Sequence, residues 1–505
     1  MPAIREQRDT KETTMTKAGL RTLTAVCMAA AAAGCSMIPK YERPAAPVAE
    51  AYPSSAWAMS SRTTAATGPV AAADLEWQSF FSDPRLRQLI EAALRNNRDL
   101  RIAVLNMEQA RAQFQIRRAD QFPTVNAALT GSRQPNTNGN GSITSAYTAG
   151  LAVTSYELDF FGRVASLKEA ALAQYLATEE GRKSAQISLI AAVANTYLSL
   201  LADEELLALT QQTLVTREES YKLGKLRFDN GVTSELELRQ AESLREAANV
   251  ALAQQVRQRA LDLNALTLLL GQPLAGDLAV ALPADKGLAD MPVMVDVPAG
   301  LPSELLTRRP DIRQAEQLLL AANANIGAAR AAFFPRISLT ASVGSASSQL
   351  SGLFKSGSYG WTLAPQLLLP IFDAGRNRAG LDSANVSKDI AVAQYEKAIQ
   401  TAFREVSDAL AGRATLDEQL RAQQAQADAE ATRFKLADLR YQNGVASSLD
   451  QLDAQRSLFA AQQAAVQTRL AQLQSQVTLY KTLGGGWKDA PEEALSLKAD
   501  TQLSR

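Results

Sequence analysis

The sequence predicts a mainly α fold with a small β part, built from one unit used twice. Three observations lead there. Ordered landmarks recur at a nearly constant offset along the chain. Each copy holds a proline-free stretch far longer than an ordinary globular helix. Each copy also holds two short runs of period-two alternation, too few for one chain to close a barrel.

Composition narrows the function before any element is placed. Among 505 residues, Lys plus Arg and Asp plus Glu number 52 each, so no net basic field draws nucleic acid. Aromatics make up only 6% of the chain, and Ala, Leu, Gln and Arg are abundant. That mix favours long helices packed through small residues. The chain has no histidine, which removes histidine triads, histidine general bases and most common zinc or iron sites. What remains for an enzyme is carboxylate, lysine or serine chemistry, and no pocket signature for a hydrolase is present. Neither catalysis nor a cofactor or metal is expected.

The first element is a targeting segment. Lys17 and Arg21 precede an apolar run, Leu23 to Ala33, too short to remain as a spanning helix. Ala32-Ala33-Gly34-Cys35 then looks like a bacterial lipobox, so residues 1–34 are expected to be a signal peptide, with Met15 an alternative start. Cys35 is the expected lipidation site, and several acyl chains hold a protein firmly to a bilayer. Ser36 after the cysteine favours sorting to the outer membrane. Residues 35–73, rich in Pro, Ala, Ser and Thr, read as an extended tether. Apart from Cys27 in the leader and Cys35, the chain has no cysteine, so no disulfide framework supports the body.

The duplication organises the rest. Arg118 to Pro123 matches Arg330 to Pro335, and Lys222 to Val232 matches Lys435 to Val445. Leu270-Gly271 then matches Leu483-Gly484, in the same order and at nearly the same spacing. The expected repeats span 74–302 and 303–486, followed by a C-terminal tail at 487–505. Within each, a helix (from Asp99, or from Asp311) ends where a proline follows. Alternating strands are expected at about 123–132 and 146–158, and again at about 336–344 and 358–368. Val125, Ala127 and Leu129 oppose Thr124, Asn126 and Thr130, while Ile337, Leu339, Ala341 and Val343 oppose Ser338, Thr340 and Ser342. One apolar and one polar face suit a transmembrane β-barrel, though a soluble sandwich shares the pattern. Three chains would supply about twelve strands.

The coiled coils come next, at about 162–271 and 376–484. From Gly162 to Phe228 no proline occurs, a reach of roughly 100 Å as a helix. Each long helix folds back at Asn-Gly-Val, Asn230-Gly231-Val232 and Asn443-Gly444-Val445, where Asn and Gly tolerate the left-handed turn. A soluble antiparallel coiled coil shares these features. Asp450 and Asp453 lie three apart on one helical face.

Taken in order, these landmarks resemble the TolC-like outer-membrane efflux proteins, in particular the lipidated OprM/NodT-type branch. The carriers are Cys35 with Pro39, Tyr41, Arg43 and Pro44; Trp77 to Pro84; Arg118 to Pro123; Phe161-Gly162-Arg163; Arg330 to Pro335; Leu369 to Gly375; and Tyr441 to Gly444 with Leu452 to Gln455. The resemblance covers almost the whole mature chain. It implies a homotrimer with a 12-stranded outer-membrane β-barrel, continuing into a periplasmic α-helical barrel ringed by an equatorial belt. It implies passive export of small molecules from an inner-membrane pump of the RND type through a periplasmic adaptor. It places adaptor docking at the tip, Asn230, Gly231, Val232, Asn443, Gly444 and Val445. Asp450 and Asp453 would then form acidic pore rings, Leu449 a hydrophobic constriction, and Tyr441 a lock on Glu237. The arginine that some members carry two residues after the turn glycine is Ala446 here, so that latch is either missing or supplied by Arg239 or Arg456. The alternatives are an exit duct for type I protein secretion or metal-ion efflux, and a lipid-anchored coiled-coil scaffold without a pore.

Overall fold

The structure is a computed structural model that describes residues 36–52, 72–135, 143–274, 287–292, 294, 295, 297 and 302–487. The leader with Cys35, much of the tether, part of the expected belt and the C-terminal tail after Trp487 lie outside the described residues. The elements are α1 (Trp77–Phe80), α2 (Pro84–Asn96), α3 (Arg98–Ala119), β1 (Val125–Pro135), β2 (Ile143–Leu158), α4 (Arg163–Asp229) and α5 (Glu235–Leu270). They continue with α6 (Pro302–Arg308), α7 (Pro310–Ala331), β3 (Arg336–Ser347), β4 (Tyr359–Leu368), α8 (Arg376–Gln442) and α9 (Ser448–Thr482). The duplication is explicit in these bounds. Helix α7 repeats α3 with both ends displaced equally (98 to 310, 119 to 331), and α8 repeats α4 in the same way (163 to 376, 229 to 442).

The chain divides into two compact units, one formed by residues 1–43, 110–175 and 318–392 and the other by 44–109, 176–317 and 393–505. The first holds a four-stranded antiparallel sheet in the order β1-β2-β3-β4. The strands extend into stretches that composition assigns to loops: β1 reaches Pro135, β2 begins at Ile143 and β3 runs to Ser347. Backbone pairing such as Arg133 with Ser145 and Tyr147 with Ser347 carries these polar ends, and a ladder bond needs no particular side chain. A bulge interrupts β2 between Val153 and Tyr156, where Ser155 takes φ +56°. Gly150 faces Gly344 at the β2–β3 crossing, and a Cβ on either would sit 2.3 or 2.2 Å from the facing carbonyl oxygen. Residues 37–39 run along α7. There Asn323 Nδ2 donates to the Pro39 carbonyl at 2.8 Å, and Gly327 admits Ile38 where a Cβ would meet its amide at 2.9 Å.

The second unit is helical, and its packing follows the repeat. Asp83 caps α2 by accepting from the Arg85 amide at 2.8 Å, with Pro84 in the first turn. Leu86, Leu89, Ile90 and Ala93 form the buried face of that helix. Asn97 Nδ2 donates to the Leu269 carbonyl at 2.9 Å. At the equivalent place in the second copy, Arg309 Nη1 donates to the Thr482 carbonyl at 2.8 Å and the same guanidinium pairs with Asp311 and Glu405. Each site is followed by a left-handed glycine, Gly271 (φ +66°) and Gly484 (φ +82°). A Cβ on either would approach the matching carbonyl of Asn96 or Arg308 at 2.3 or 3.0 Å. Phe80 and Tyr480 stack at 4.0 Å, and the Tyr480 hydroxyl donates to the Leu75 carbonyl at 2.6 Å. One window of α4 has a mean hydropathy of 1.5, but two thirds of it is buried, including Val193, Tyr197, Leu198 and Leu201. Its apolar side chains fill this core.

Asp203, buried on α4, is the exception in that apolar stretch. Burial pushes its carboxyl up to about 7, and the neighbouring Asp262 carboxyl adds to the shift. An acid raised in the folded state stabilises fully below its unfolded pKa of about 4, and that contribution is lost as pH rises through about 7. The Asp203→Asn protein is therefore expected to match the wild type in thermal unfolding at pH 4. At pH 8 it should unfold roughly 2–4 °C higher; circular dichroism at both pH values measures the difference.

Candidate functional site

Two surfaces carry the candidate chemistry, and each belongs to one unit. On the sheet, the register pairs odd residues with odd residues: Leu129 faces Ala149, Leu151 faces Val343, and Val343 faces Trp361. Val125, Leu129, Leu151, Val343, Tyr359, Trp361, Leu363 and Leu367 thus share one side, and all are exposed. Asn126, Thr130, Thr148, Ser342 and Thr362 share the other, where the Thr130 and Thr148 hydroxyls lie 2.6 Å apart. A soluble sandwich buries its apolar face against a second layer about 10 Å away. Here the polar face alternates with an uncovered apolar one, the arrangement of a lipid-facing barrel wall. Among the described residues β1 and β4 have no partner along their outer edges.

The end of β2 is tied to the helices beside it. Glu157 accepts two bonds from Arg163, at 2.8 and 2.6 Å, and lies 3.5 Å from Arg336. Phe161 stacks on Phe334 at 4.8 Å, and the Tyr156 hydroxyl donates to the Gln121 carbonyl at 3.0 Å. These contacts fix where strand gives way to helix at the bottom of the sheet.

The second surface is the pair of helix reversals. In the first, the Val232 amide donates to the Arg227 carbonyl and the Gly231 amide to that of Phe228, both at 2.8 Å. In the second, Val445 donates to Arg440 at 2.9 Å and Gly444 to Tyr441 at 3.0 Å. This is the Schellman pattern, with the glycine left-handed at φ +71° and +72°. A Cβ on either glycine would meet nothing within 4 Å, so the demand is conformational and not steric. Asn230 and Asn443 each donate a side-chain bond to the carbonyl four residues back, at 2.7 Å. The return helices start on Ser234 and Ser447, whose hydroxyls accept from the amides of Glu237 and Asp450. Val232, Leu236, Val445 and Leu449 stand exposed around these turns.

The structure gives the predicted gate residues more specific partners. Asp450 closes a capping box, its carboxylate accepting from the Ser447 amide at 3.3 Å and from the Ser447 hydroxyl at 2.9 Å. Asp453 accepts from Arg433 at 2.6 Å and from Arg456. The Arg433 guanidinium, with Arg456 beside it, holds the Asp453 carboxyl below the usual carboxylate range. Tyr441 and Glu237 line one small cleft with Gly224, Thr233 and Leu452, yet no hydrogen bond joins them. The Tyr441 hydroxyl accepts from Arg227 Nη1 at 2.6 Å, and that guanidinium lies 4.8 Å from the ring centre. Glu237 accepts from the Thr233 hydroxyl. Arg239 pairs with Glu235 and Glu242 on its own helix, while Arg456 pairs with Asp453. Arg227 and Arg433 went unrecognised in the sequence. Arg227 precedes Phe228 as Arg440 precedes Tyr441, and that shared Leu-Arg-aromatic run was the available signal. Cys35 lies outside the described residues.

The outer membrane efflux protein family model matches residues 89–272 and 301–485. The toluene efflux pump outer membrane protein TtgC of Pseudomonas putida is 51% identical over 466 residues, covering 91% of this chain and 94% of that one. Outer membrane protein OprJ of Pseudomonas aeruginosa is 47% identical over 472 residues, covering 92% and 96%. The open-state structure of the MtrE outer membrane channel of Neisseria gonorrhoeae is 44% identical with a TM-score of 0.81, covering 90% of this chain and 99% of that one. The chain belongs to the outer membrane efflux protein family of transport proteins: it is an outer-membrane channel component of an efflux system, extending into the periplasm, with the fold class of the trimeric TolC-like channels.

Proposed function

We propose that this channel is the passive exit duct of a tripartite pump whose cargo is amphiphilic small molecules such as aromatic solvents and antibiotics. Three copies form the duct, a periplasmic adaptor docks at its tip, and an inner-membrane pump of the RND type supplies the energy. The observation that carries this reading is the sheet with one apolar face, one polar face and two bare edges. Only closure with other copies satisfies those edges in lipid. The relative TtgC takes its name from toluene, which supports the cargo class. Exposed Val232, Leu236, Val445 and Leu449, at matching places in the two copies, support docking of an apolar adaptor surface at Asn230–Val232 and Asn443–Val445. Acylation of Cys35 adds an anchor in outer-membrane lipid. The deleted strain should lose tolerance to toluene and amphiphilic antibiotics and regain it from a plasmid copy. Unchanged tolerance with a defect only in protein secretion or metal resistance would replace this reading by one of those ducts.

The gate is proposed to lie at the tip. Three-fold symmetry turns Asp450 and Asp453 into acidic rings, with Leu449 as the apolar constriction beside them. Within one chain Arg433 and Arg456 neutralise Asp453, so its pull on cations develops as those pairs part. Arg227 on Tyr441 holds α4 against α8, and Glu237 stands in the same cleft as a second partner for the hydroxyl once Arg227 leaves.

Planar-bilayer recording tests these roles. Tyr441→Phe keeps the ring under Arg227 but loses the hydroxyl, so closed-state conductance should rise modestly. Arg227→Ala loses both contacts and should raise it several-fold; wild-type conductance in both variants would remove the latch. Asp450→Ala with Asp453→Ala should lower the cation-to-anion permeability ratio, and an unchanged ratio would exclude the acidic rings. Ser447→Ala should cost about 1 kcal/mol of α9 stability through the lost N-cap. In Cys35→Ala, labelling with a radioactive palmitate precursor should disappear; persistent labelling would place the acyl chains elsewhere.

A further inference from the structure

Ten residues before Arg227, helix α4 buries a second arginine that has no ionic partner. Arg217 is 3% exposed, and among the described residues it forms no ion pair. Its Nη1 donates to the Leu244 carbonyl on α5 at 2.9 Å, and its guanidinium lies 5.1 Å from the Phe459 ring centre on α9. Nε is buried without a hydrogen-bond partner among the described residues. One carbonyl and one ring face compensate poorly for a guanidinium taken out of water. Burial draws its pKa below the ordinary arginine value, yet an arginine stays charged all the same.

The surrounding residues define a layer. Ser220, Ala241 and Leu452 line the cleft that holds Tyr441 and Glu237. Three residues farther from the reversals on the same helices (220 − 217, 244 − 241, 455 − 452) come Arg217, Leu244 and Gln455. Gln455 is 5% exposed, and neither polar atom of its amide has a partner among the described residues. Phe459 follows one turn later on the same face of α9. A guanidinium and an amide are thus buried behind the cleft with hydrogen-bonding capacity unfilled. The repeat does not require this. Glu430, the copy of Arg217, is also charged, but it pairs with Arg433 at 3.1 Å.

We infer that Arg217 biases the tip toward opening: buried without an anion between α4, α5 and α9, it opposes the hold of Arg227 on Tyr441. Two arginines about 15 Å apart along one helix then act in opposite senses. Arg227 is both bonded to Tyr441 and set over its ring, so it favours staying. Arg217 favours leaving Phe459, because water supplies the partners that its layer lacks. Tyr441 and Phe459 lie on α8 and α9, the two arms of one hairpin. Parting that hairpin from α4 breaks both contacts; the first loss resists the motion and the second drives it. This inference rests on the Arg227–Tyr441 latch proposed above and adds the force that works against it.

Planar-bilayer recording of the full-length protein tests the balance. The Arg227→Ala background, with its raised conductance, is the starting point. Adding Arg217→Met removes the buried charge while keeping a long apolar side chain, and should lower that conductance several-fold. Loosened packing raises leak, so a fall reports the lost charge and not damage. Adding Gln455→Leu instead relieves the same layer without touching the arginine and should act in the same direction. Misfolding of one variant therefore does not decide the result. A further rise on adding Arg217→Met would overturn the inference and make Arg217 a second latch. Unchanged conductance in both double variants would overturn it and leave the Arg227 latch standing. Wild-type conductance in Arg227→Ala itself would overturn the latch and this inference together.

Discussion

A backbone amide or carbonyl in hydrocarbon must find a partner, because an unsatisfied one costs several kcal/mol. The four strands meet this demand along three seams and leave it unmet along the outer edges of β1 and β4. The rest of the design follows from that deficit. One chain presents an apolar wall to lipid and a polar wall to a lumen, but it cannot close the lumen. Strand ends therefore have to be held where further copies can meet them. Glu157 between Arg163 and Arg336, and Phe161 on Phe334, do this at the base of the sheet.

Duplication lets one set of local solutions serve twice, and the differences between copies show where function departs from scaffold. Gly271 and Gly484 have the same conformation for the same steric reason. The two Asn-Gly reversals share one hydrogen-bond pattern with nearly equal distances. The copies diverge in their tip side chains: Phe228 corresponds to Tyr441, Ser220 to Arg433, Glu237 to Asp450 and Gln240 to Asp453. Among these pairs the phenol hydroxyl and the Arg433–Asp453 pair belong to the second copy, and Arg227 of the first reaches across to Tyr441. Contacts of this kind are breakable, since exposed ion pairs contribute only about 0–1 kcal/mol each.

Local chemistry made much of this legible in advance. Helix α4 announces itself by 67 residues without proline, and the reversals by Asn-Gly, because backbone preference acts over a few neighbours. The alternation on β3 disclosed both faces of the sheet. Strand ends were less legible, since the ladder carries Ser345 to Ser347 without regard to their side chains. The bulge at Ser155 left no sequence mark. The partners of Tyr441 and Asp453 were hidden for another reason. Pairing Arg227 with Tyr441 requires knowing how two coils lie side by side, which periodicity along one helix does not contain. The resemblance supplied the neighbourhood of Tyr441 and Glu237, and within one chain the Tyr441 hydroxyl bonds to Arg227 and the Glu237 carboxylate to Thr233.

The pairing of β2 with β3 also sets an order of events during biogenesis. Helices α4 and α5 meet across a short turn, as do α8 and α9, so each hairpin forms from contacts close in sequence. Joining Val153 to Ala341 requires closure of a chain segment holding a complete hairpin. The seam between copies adds a concentration-dependent step to that loop closure. By the same measure β1–β2 and β3–β4 are local hairpins. The β2–β3 pairing and the bare outer edges therefore wait longest, and the chain reaches the membrane with those edges unpaired. Its exposure to proteases and to mispairing is concentrated in that interval.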